Sequence, residues 1–229
     1  NINYDLLIHC AAATPNNSDF EEIFKINRGI DKSLSEFIKK FSVRHIIYLS
    51  TMSVYGDIKV DILNEKTEIN NPNEYGYSKF LGEIDVKESC IQNMSRLTIL
   101  RLPGIVGKGM PNIFIRRLYE SILNKKEIVI KSKEAKFNNS VTDIDIFLTS
   151  LNLFFLQDKE VLILNHHANN IVTLGELINK FSSFTFNNSI FNESKNATPP
   201  FLITNLNYDD LLVKSEMEDI MNYLHSFYK

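Results

Sequence analysis

The stretch RHIIYLSTMSVYG at residues 44–56 decides the fold. Its first half, residues 44–50, is a short apolar run of the kind that forms a strand buried on both faces. The run ends in a cluster of hydroxyl side chains, Ser50, Thr51 and Ser53. Because α/β sheets bind their ligands beyond the carboxyl ends of parallel strands, the stretch predicts a buried parallel strand with a site at its end.

The segments on either side of this stretch alternate between strand and helix patterns. An apolar run at residues 4–9 precedes residues 21–41, where apolar side chains recur every three or four positions as on one face of a helix. A helix at about 74–92 and a strand at 98–102 follow. Since strand and helix alternate, the order predicts a doubly wound parallel sheet with Rossmann-like connections and helices on its faces.

The pattern loosens beyond Gly109 but still predicts further elements. It predicts helices near 112–124 and at about 144–156, and strands at 128–131 and 161–165. The capping boxes Thr173–Glu176 and Ser215–Glu218 predict the starts of two more helices. The Asn-rich residues 185–200 predict a surface loop.

Composition and charge exclude several classes of protein. The chain has 229 residues of which 44% are apolar, enough to bury a core, so it is globular. The formal net charge of -3 gives no overall attraction to nucleic acid or to an anionic membrane. Residues 108–136 are locally basic, with eight bases against three acids. This segment is either a solvated helix face or a site for an anionic substrate group such as a diphosphate.

Two cysteines, Cys10 and Cys90, are too few for a disulfide framework and form no C-x-x-C pair, which favours a reducing compartment. No charged and then apolar leader opens the sequence. Polar residues interrupt the longest apolar stretch, residues 144–156, so no membrane span is expected. We therefore expect a soluble, cytoplasmic protein.

Hydrolase and metal-site patterns are missing from the sequence. It contains neither G-x-S-x-G nor H-E-x-x-H. His166 and His167 are adjacent on a predicted strand, where neighbouring side chains point to opposite faces, and no set of carboxylates or cysteines with ligand spacing accompanies them. We expect structural roles for both histidines and no metal.

The pair Tyr75 and Lys79 carries the chemistry of the predicted site. The two residues are four positions apart in a predicted helix and therefore share one face. An ammonium group beside a phenol stabilises the phenolate, so the lysine would lower the pKa of the tyrosine. Such a tyrosine can exchange a proton with a substrate hydroxyl at neutral pH. The similar pair Tyr55 and Lys59 is interrupted by Gly56, which favours a turn.

Together these motifs resemble those of the extended short-chain dehydrogenase/reductases, in the NAD-dependent epimerase/dehydratase group that includes UDP-galactose 4-epimerase. The string YLSTMSVYG followed by YGYSK carries the likeness. Further segments agree in order, from about residue 4 to residue 180: HCAA at 9–12, Asn27, LRLPGIVG at 100–107, VTDID at 141–145, and 162–177.

The resemblance implies a role for each matched residue. Tyr75 would be the general acid/base, Lys79 would tune its pKa and bind the ribose, and Thr51 would hydrogen-bond the reacting oxygen. The cofactor would be NAD or NADP, contacted by Ala11, Ala12, Asn27, Ser50, Tyr75, Lys79, Pro103 and Ile105. The substrate would be a nucleotide-activated sugar, contacted by Thr51, Met52, Ser53, Gly104 and Arg116. A homodimer and a role in polysaccharide biosynthesis would follow from the same family.

Three departures from the family pattern leave the activity open. Residues 1–28 contain no glycine, so the glycine-rich turn that holds the cofactor pyrophosphate is not among them. Met52 and Ser53 stand where 4,6-dehydratases have Asp-Glu, which disfavours dehydration. Gly104 stands where many members have Asn, and Phe137–Asn138 where many have an arginine for the diphosphate.

Three hypotheses therefore remain. The first is an NAD(P)-dependent epimerase or 4-ketoreductase of a nucleotide sugar. The second is a non-catalytic or truncated member with weak or no cofactor binding, and the third is an oxidoreductase of the same fold with a non-sugar substrate. In each case we expect a Rossmann-like, cofactor-binding core at residues 1–107 that starts near the family's fourth strand. Residues 108–229 would be mainly a substrate-binding region, with 161–184 returning to the core.

Overall fold

The predicted alternation of strands and helices builds a parallel sheet in the computed structural model, which describes residues 3–15, 19–130, 136–137, 141–156, 158–186, 191–193, 202–205 and 213–228. The helices are α1 Phe20–Lys40, α2 Glu74–Gln92, α3 Phe114–Leu123, α4 Ile144–Leu156, α5 Leu174–Thr185 and α6 Met217–Ser226. The strands are β1 Asn3–His9, β2 Ser42–Thr51, β3 Ile62–Leu63, β4 Arg96–Leu102, β5 Gly104–Val106, β6 Ile128–Ile130, β7 Lys136–Phe137, β8 Val141–Asp143, β9 Val161–Asn165, β10 Val172–Thr173, β11 Phe191–Glu193 and β12 Leu202–Ile203.

The main sheet has four parallel strands in the order β1-β2-β4-β9. Leu49 of β2 lies opposite Leu100 of β4, which lies opposite Leu164 of β9. A short 3₁₀ helix at Met52–Tyr55 follows β2 directly. The carboxyl ends of β1, β2 and β4 therefore lie side by side at one edge of the sheet.

Helices cover both faces of this sheet. Successive strand residues point to opposite faces, so the adjacent Ile46 and Ile47 belong to the hydrophobic clusters on opposite faces of the sheet. On one face, residues of α1 and α2 pack against the strands: Leu34, Ile38, Val86 and Cys90 against Ile46, Tyr48, Leu97 and Ile99. On the other face α4 contributes Phe147 and Phe154, which pack with Ile47, Leu100, Leu162 and Leu164. The fold is thus a doubly wound α/β sheet.

A second hydrophobic cluster joins the later helices. Helices α3, α5 and α6 bury Ile115, Leu118, Tyr119, Ile122, Leu177, Ile178, Phe181, Ile220, Met221 and Leu224 in it. The short parallel pair β5 and β8 adds Val106 and Val141, so it links this cluster to the end of β4. Among the described residues, no helix is both long and apolar enough to cross a membrane.

The two capping boxes predicted from the sequence have different outcomes. The capping box at Thr173 is confirmed, because the Thr173 side chain accepts from the Glu176 amide and Glu176 accepts from the Thr173 amide. The predicted box at Ser215 is wrong. Helix α6 begins at Met217, after Glu216, without a side-chain cap. The Ser215 hydroxyl donates to the buried carboxylate of Asp143, which makes a charge-assisted hydrogen bond.

The loop prediction for residues 185–200 is also wrong in part. Thr185 is the last residue of α5, and Phe191–Glu193 form β11, which pairs with β6. Residues 187–190 and 194–200 lie outside the described residues.

Candidate active site

Tyr75 lies in the first turn of α2, beside the end of β2. Asn73 caps this helix, since its side chain accepts a hydrogen bond from the Gly76 amide at 2.9 Å. The Thr51 side chain lies close enough to Tyr75 to lower the pKa of its phenol. Thr51 in turn caps the 3₁₀ helix by accepting from the Ser53 amide at 3.2 Å. The structure therefore brings together the tyrosine and the hydroxyl that the sequence singles out.

A glycine permits this close approach. A Cβ atom added to Gly76 would lie 2.1 Å from the Ser53 carbonyl oxygen and 2.7 Å from its carbonyl carbon. Both are backbone atoms, so they cannot rotate away. Gly76 thus lets the start of α2 contact the turn that carries Thr51 and Ser53.

Burial sets the protonation state of Tyr75. It raises the pKa of this phenol above its ordinary value, while the nearby Thr51 side chain lowers the pKa. Since burial is the larger effect, Tyr75 is a neutral phenol at pH 7 and can donate a proton.

Lys79 lies one turn after Tyr75 and is only 1% exposed. Burial lowers the pKa of its ammonium group to about 8, against the attraction of Asp31 and Glu83. Its nitrogen lies 4.0 Å from the centre of the Tyr48 ring. The predicted effect of Lys79 on the pKa of Tyr75 is not seen in the described structure, where burial and Thr51 set that pKa.

The buried Asp31 and Tyr48 and the half-buried His9 lie around Lys79. The Tyr48 hydroxyl donates to Asp31 Oδ1 at 2.8 Å. The His9 ring is stacked on the Tyr48 ring, with centroids 5.5 Å apart, and His9 Nε2 lies 3.9 Å from Asp31 Oδ1. Burial first, and then the charge of Lys79, lower the pKa of His9 to about 4, so this histidine is neutral at pH 7. The contact between His9 and Asp31 is therefore not an ion pair at that pH.

A second buried network fixes α2 against the sheet. Arg101 of β4 donates two hydrogen bonds to Glu83 of α2, Nη2 to Oε2 at 2.7 Å and Nε to Oε1 at 3.1 Å. Ser50 donates to the same carboxylate at 2.5 Å. Arg101 also donates to the Tyr55 hydroxyl at 2.8 Å, and that hydroxyl donates to Asn165 at 2.8 Å. Ser50, expected at the cofactor, thus has its hydroxyl directed to Glu83.

Asn27 holds the segment that follows β1. Its side-chain oxygen accepts from the Ala13 amide at 2.7 Å, and its amide nitrogen donates to the Ala13 carbonyl at 3.1 Å and to Ser78 Oγ at 3.0 Å. Ala11 and Ala12 directly precede this anchor, at the end of β1. The predicted cofactor residue Asn27 therefore links the β1 end to the residue before Lys79.

The Tyr75 cleft, as we call it, opens beside these strand ends and has a volume of about 510 Å³. Its described lining consists of Thr14, Pro15, Ser53, Asn73, Tyr75, Pro111, Asn112, Ile113 and Arg117. Gly104 adjoins the cleft, because a Cβ there would lie 3.4 Å from Ile113 Cδ1, an ordinary contact. Pro103 and Ile105 flank Gly104 at the end of β4.

Two predicted substrate residues lie elsewhere. Arg116 is directed to a second cavity, of about 500 Å³, that Phe227 and Tyr228 also line. Its Nε atom donates to Glu120 at 2.8 Å and its Nη1 atom to the Met110 carbonyl at 2.6 Å. Met52 packs against a buried cluster that includes Val54, Tyr55, Leu63 and Ile203. The structure does not bring either side chain to the described lining of the Tyr75 cleft.

Several cleft residues were missed by reasoning from the sequence. Asn73 carried a signal, since an asparagine just before a helix is a typical N-cap. Arg117 carried none that separates it from Arg116, because neighbouring residues on a helix differ by about 100° in direction and packing decides which one faces a cleft. Asn112 and Ile113 belong to the loop before α3, and no local pattern marks them.

The paired histidines are both buried. His167 Nδ1 lies 2.8 Å from the Ala168 carbonyl, and Nε2 lies 3.3 Å from Asn205. His166 packs edge-on against Phe147, and neither of its ring nitrogens has a hydrogen-bond partner in the described part of the chain. Burial lowers the pKa of His166 to about 3, so it is neutral. Within the described ranges, no group of three or more metal-binding side chains occurs.

The fold and the site define the class: a doubly wound α/β protein whose Tyr-x-x-x-Lys helix starts at the carboxyl end of a parallel strand. The NAD dependent epimerase/dehydratase family matches residues 1–137, which is more than half of the chain. The protein belongs to this family.

Solved structures of the same fold match nearly the whole chain. A UDP-glucuronic acid 4-epimerase from Bacillus cereus, crystallised with NAD, superimposes with a TM-score of 0.82 at 19% identity, covering 97% of this chain and 72% of that one. A UDP-glucose 4-epimerase from Thermotoga maritima, crystallised with UDP-glucose, gives a TM-score of 0.80 at 18% identity, with 98% and 77% coverage.

A curated relative extends the comparison at the level of sequence. An uncharacterized protein of Sinorhizobium fredii, y4nG, is 28% identical over 114 residues. The match spans 48% of this chain and only 28% of the length of that relative.

Proposed function

We propose that the protein is an NAD(P)-dependent epimerase or 4-ketoreductase of a nucleotide-activated sugar. One arrangement carries the proposal: Tyr75 lines a cleft, the Thr51 side chain lies close enough to lower the pKa of Tyr75, and buried Lys79 follows one turn later on the same helix. Family membership supports the cofactor, and the neighbouring structures with NAD and UDP-sugars support the substrate class.

The side chains present fit the nicotinamide riboside half of the cofactor. Lys79 offers a buried ammonium group with three donors, and Tyr75 offers a hydroxyl, which suits a vicinal diol such as ribose. The ends of β1 and β4, with Ala11, Ala12 and the Pro103–Ile105 segment, lie at the same edge of the sheet. When bound, NAD would take up and return the hydride of the sugar carbon.

The chain's own residues handle the proton. Tyr75 as a neutral phenol donates its proton to the carbonyl oxygen of a keto sugar as the hydroxyl forms, and the phenolate that this leaves accepts the proton of a hydroxyl in the reverse direction. Thr51 holds the same oxygen by a hydrogen bond. In an epimerase both directions occur in one turnover on opposite faces of the sugar, whereas a ketoreductase releases the alcohol.

Replacing Tyr75 tests this assignment. We expect Tyr75→Phe to lower turnover of UDP-glucose or another UDP-sugar by about 10²- to 10⁴-fold, because the proton donor is lost. Tyr77→Phe is the matched control, since Tyr77 is an exposed tyrosine on the same helix, stacked on Phe24. A Tyr75→Phe protein with wild-type turnover would contradict the proposal.

Calorimetric titration with NAD and NADP separates the remaining hypotheses. Binding of either cofactor with sugar turnover supports the proposal. Cofactor binding without turnover of any UDP-sugar favours the oxidoreductase with a non-sugar substrate. Binding of neither favours a non-catalytic or truncated member. We also propose that residues 1–107 form the cofactor-binding core and that residues 108–229 are mainly a substrate-binding region.

We also propose a homodimer formed by the outer faces of α1 and α2. Ile26 on α1 and Tyr77, Ile84 and Ile91 on α2 are exposed, and the last three recur every seven residues on one side of the helix. We expect light scattering to give a dimer mass, and Ile84→Lys to give a monomer.

We also propose a cytoplasmic location, which suits the two free cysteines, Cys10 and Cys90. A role in polysaccharide biosynthesis completes the proposal.

A further inference from the structure

Helix α1 buries a carboxylate, that of Asp31, whose hydrogen bonding is incomplete. The side chain is only 1% exposed, and its Oδ1 atom accepts a hydrogen bond from the Tyr48 hydroxyl at 2.8 Å. Its Oδ2 atom has no hydrogen-bond partner in the part of the chain that the structure describes. Because a buried carboxylate oxygen without a partner destabilises a fold, packing alone does not account for an acidic residue at this position.

The Asp31 carboxylate lies beside the ring that Lys79 contacts. The Lys79 nitrogen lies 4.0 Å from the centre of the Tyr48 ring, and the hydroxyl of the same ring donates to Asp31. Gly82, three positions after Lys79 on α2, leaves room for this arrangement. A Cβ added there would lie 2.3 Å from Asp31 Oδ2 and 2.2 Å from the Tyr48 hydroxyl oxygen. Burial raises the pKa of Asp31, whereas the charge of Lys79 and the Tyr48 hydrogen bond lower it, so both neighbours favour the carboxylate form.

Asp31 is the carboxylate that is left to balance the charge of Lys79. Two carboxylates, those of Asp31 and Glu83, attract the ammonium group. Glu83 already forms a buried ion pair with Arg101, joined by two hydrogen bonds. Asp31 forms no ion pair with a lysine or arginine of the described residues, and the ring nitrogen 3.9 Å from it belongs to His9. Its charge therefore acts on Lys79 without a competing contact partner.

The other titratable groups around these two charges are neutral or already paired. Burial lowers the pKa of His9 to about 4 and raises the pKa of the Tyr48 phenol well above its ordinary value, so both are neutral at pH 7. Tyr75 is a neutral phenol as well. Arg28, whose charge also acts on Asp31, is already paired with an aspartate of α2 at 2.5 Å.

We propose that Asp31 is a positioning residue, whose carboxylate keeps the Lys79 ammonium group charged and in place for the ribose of the nicotinamide cofactor. The use of Lys79 for the ribose rests on the proposed function. Asp31 acts through Lys79 and the Tyr48 ring, and not by contact with the reacting atoms. Lys79 is itself only 1% exposed, so without this negative charge the buried ammonium group would release its proton more readily.

The charge of Lys79 can be measured without a cofactor. In the full chain, nuclear magnetic resonance follows isotope-labelled lysine side chains, and the Lys79 signal is assigned by its loss in Lys79→Met. We expect this signal to titrate near pH 8 in the wild type. In Asp31→Asn it should titrate about 1 to 1.5 pH units lower, because an opposite charge is removed while the amide oxygen can still accept from Tyr48. Glu36→Gln removes an equal charge from an exposed position on the same helix and should leave the titration unchanged.

Calorimetric titration with NAD then shows whether this charge matters for the cofactor. We expect Asp31→Asn to bind NAD about 5- to 15-fold more weakly than the wild type at pH 8, where Lys79 of the variant is nearly uncharged. The two affinities should agree within about 1.5-fold at pH 6, where both proteins carry the charge. Damage to the structure would weaken binding at both pH values, so recovery at pH 6 separates a positioning role from a structural one.

Tyr48→Phe is a second variant, which serves if Asp31→Asn does not fold. It keeps the ring and removes the hydrogen bond to Asp31, so it should lower the Lys79 titration by a smaller amount. An unchanged Lys79 titration overturns the proposal, and so does a loss of NAD affinity that is equal at pH 6 and pH 8. A shifted titration with unchanged NAD affinity at pH 8 overturns it as well.

Failure of the proposed function gives a different result. A wild-type protein that binds no NAD at either pH would contradict the cofactor site. A lowered Lys79 titration in Asp31→Asn would even then establish Asp31 as the residue that keeps Lys79 charged.

Discussion

The ammonium nitrogen of Lys79 lies 4.0 Å from the centre of the Tyr48 ring, and the hydroxyl of that ring donates to Asp31 at 2.8 Å. The Tyr48 side chain therefore connects a buried cation on α2 to a buried carboxylate on α1. Asp31 and Glu83 favour the charged form of Lys79, and burial opposes it. Strand β2 and helix α1 thus hold Lys79 in place, independently of Tyr75.

The lowered pKa of Lys79 predicts a dependence of stability on pH. The lysine titrates near 10.5 in the unfolded chain and near 8 in the folded one. Between these pH values the unfolded chain binds more protons than the folded one, so the free energy of unfolding of the protein rises with pH. Relative to Lys79→Met, the wild type should gain about 3 kcal/mol from pH 8 to pH 10.5. Urea unfolding across this range checks it, and a flat difference would contradict the burial of the charged amine.

His9 predicts a second pH effect, on the acid side. Its pKa falls from 6.5 in the unfolded chain to about 4 in the folded one. The unfolded chain binds more protons between these values, so wild-type stability should fall by about 3 kcal/mol relative to His9→Gln as the pH drops from 6.5 to 4. His45, whose pKa is also about 4, is present in both proteins and cancels from the difference. If the difference in free energy of unfolding between the two proteins stayed constant from pH 6.5 to pH 4, His9 would not be held neutral by the folded structure.

Gly76 predicts a loss of both stability and activity on substitution. In Gly76→Ala the new Cβ meets the Ser53 backbone at 2.1 Å, so α2 must shift away from the turn that carries Thr51. We expect a cost of about 1–3 kcal/mol and a lower turnover number, because the Tyr75–Thr51 contact is disturbed. Gly29→Ala on α1 is the control. Nothing lies within 4 Å of its added Cβ, and alanine should stabilise that helix by about 0.5–1 kcal/mol.

Local sequence patterns were sufficient for the elements that position Tyr75. Helix α2 and helix α4 have the predicted limits, and β9 does as well, because each combines a clear apolar pattern with flanking polar or turn residues. Tyr75 and Thr51 could be placed together for the same reason. Parallel strands end at one edge of a sheet, and a helix that follows such an edge begins there.

Features that depend on packing between distant segments could not be predicted. Ser215 was expected to cap a helix, but Asp143, 72 residues earlier, attracts its hydroxyl. Lys79 was expected to lower the pKa of Tyr75, but burial and Thr51 set that pKa, and Tyr48 and Asp31 lie around Lys79. A local pattern fixes the helix face of a side chain and leaves its partners on other elements undetermined.

The buried pair of Glu83 and Arg101 predicts strong coupling between α2 and β4. Their side chains are only 4% and 5% exposed and are joined by two hydrogen bonds. Either Glu83→Met or Arg101→Met leaves a buried charge unpaired, so each should cost about 3–5 kcal/mol in urea unfolding at pH 7. The double variant leaves no unpaired charge from this pair and should cost clearly less than the sum. Additive costs would show that the two side chains stabilise the fold independently, with Ser50 and Tyr55 as sufficient partners.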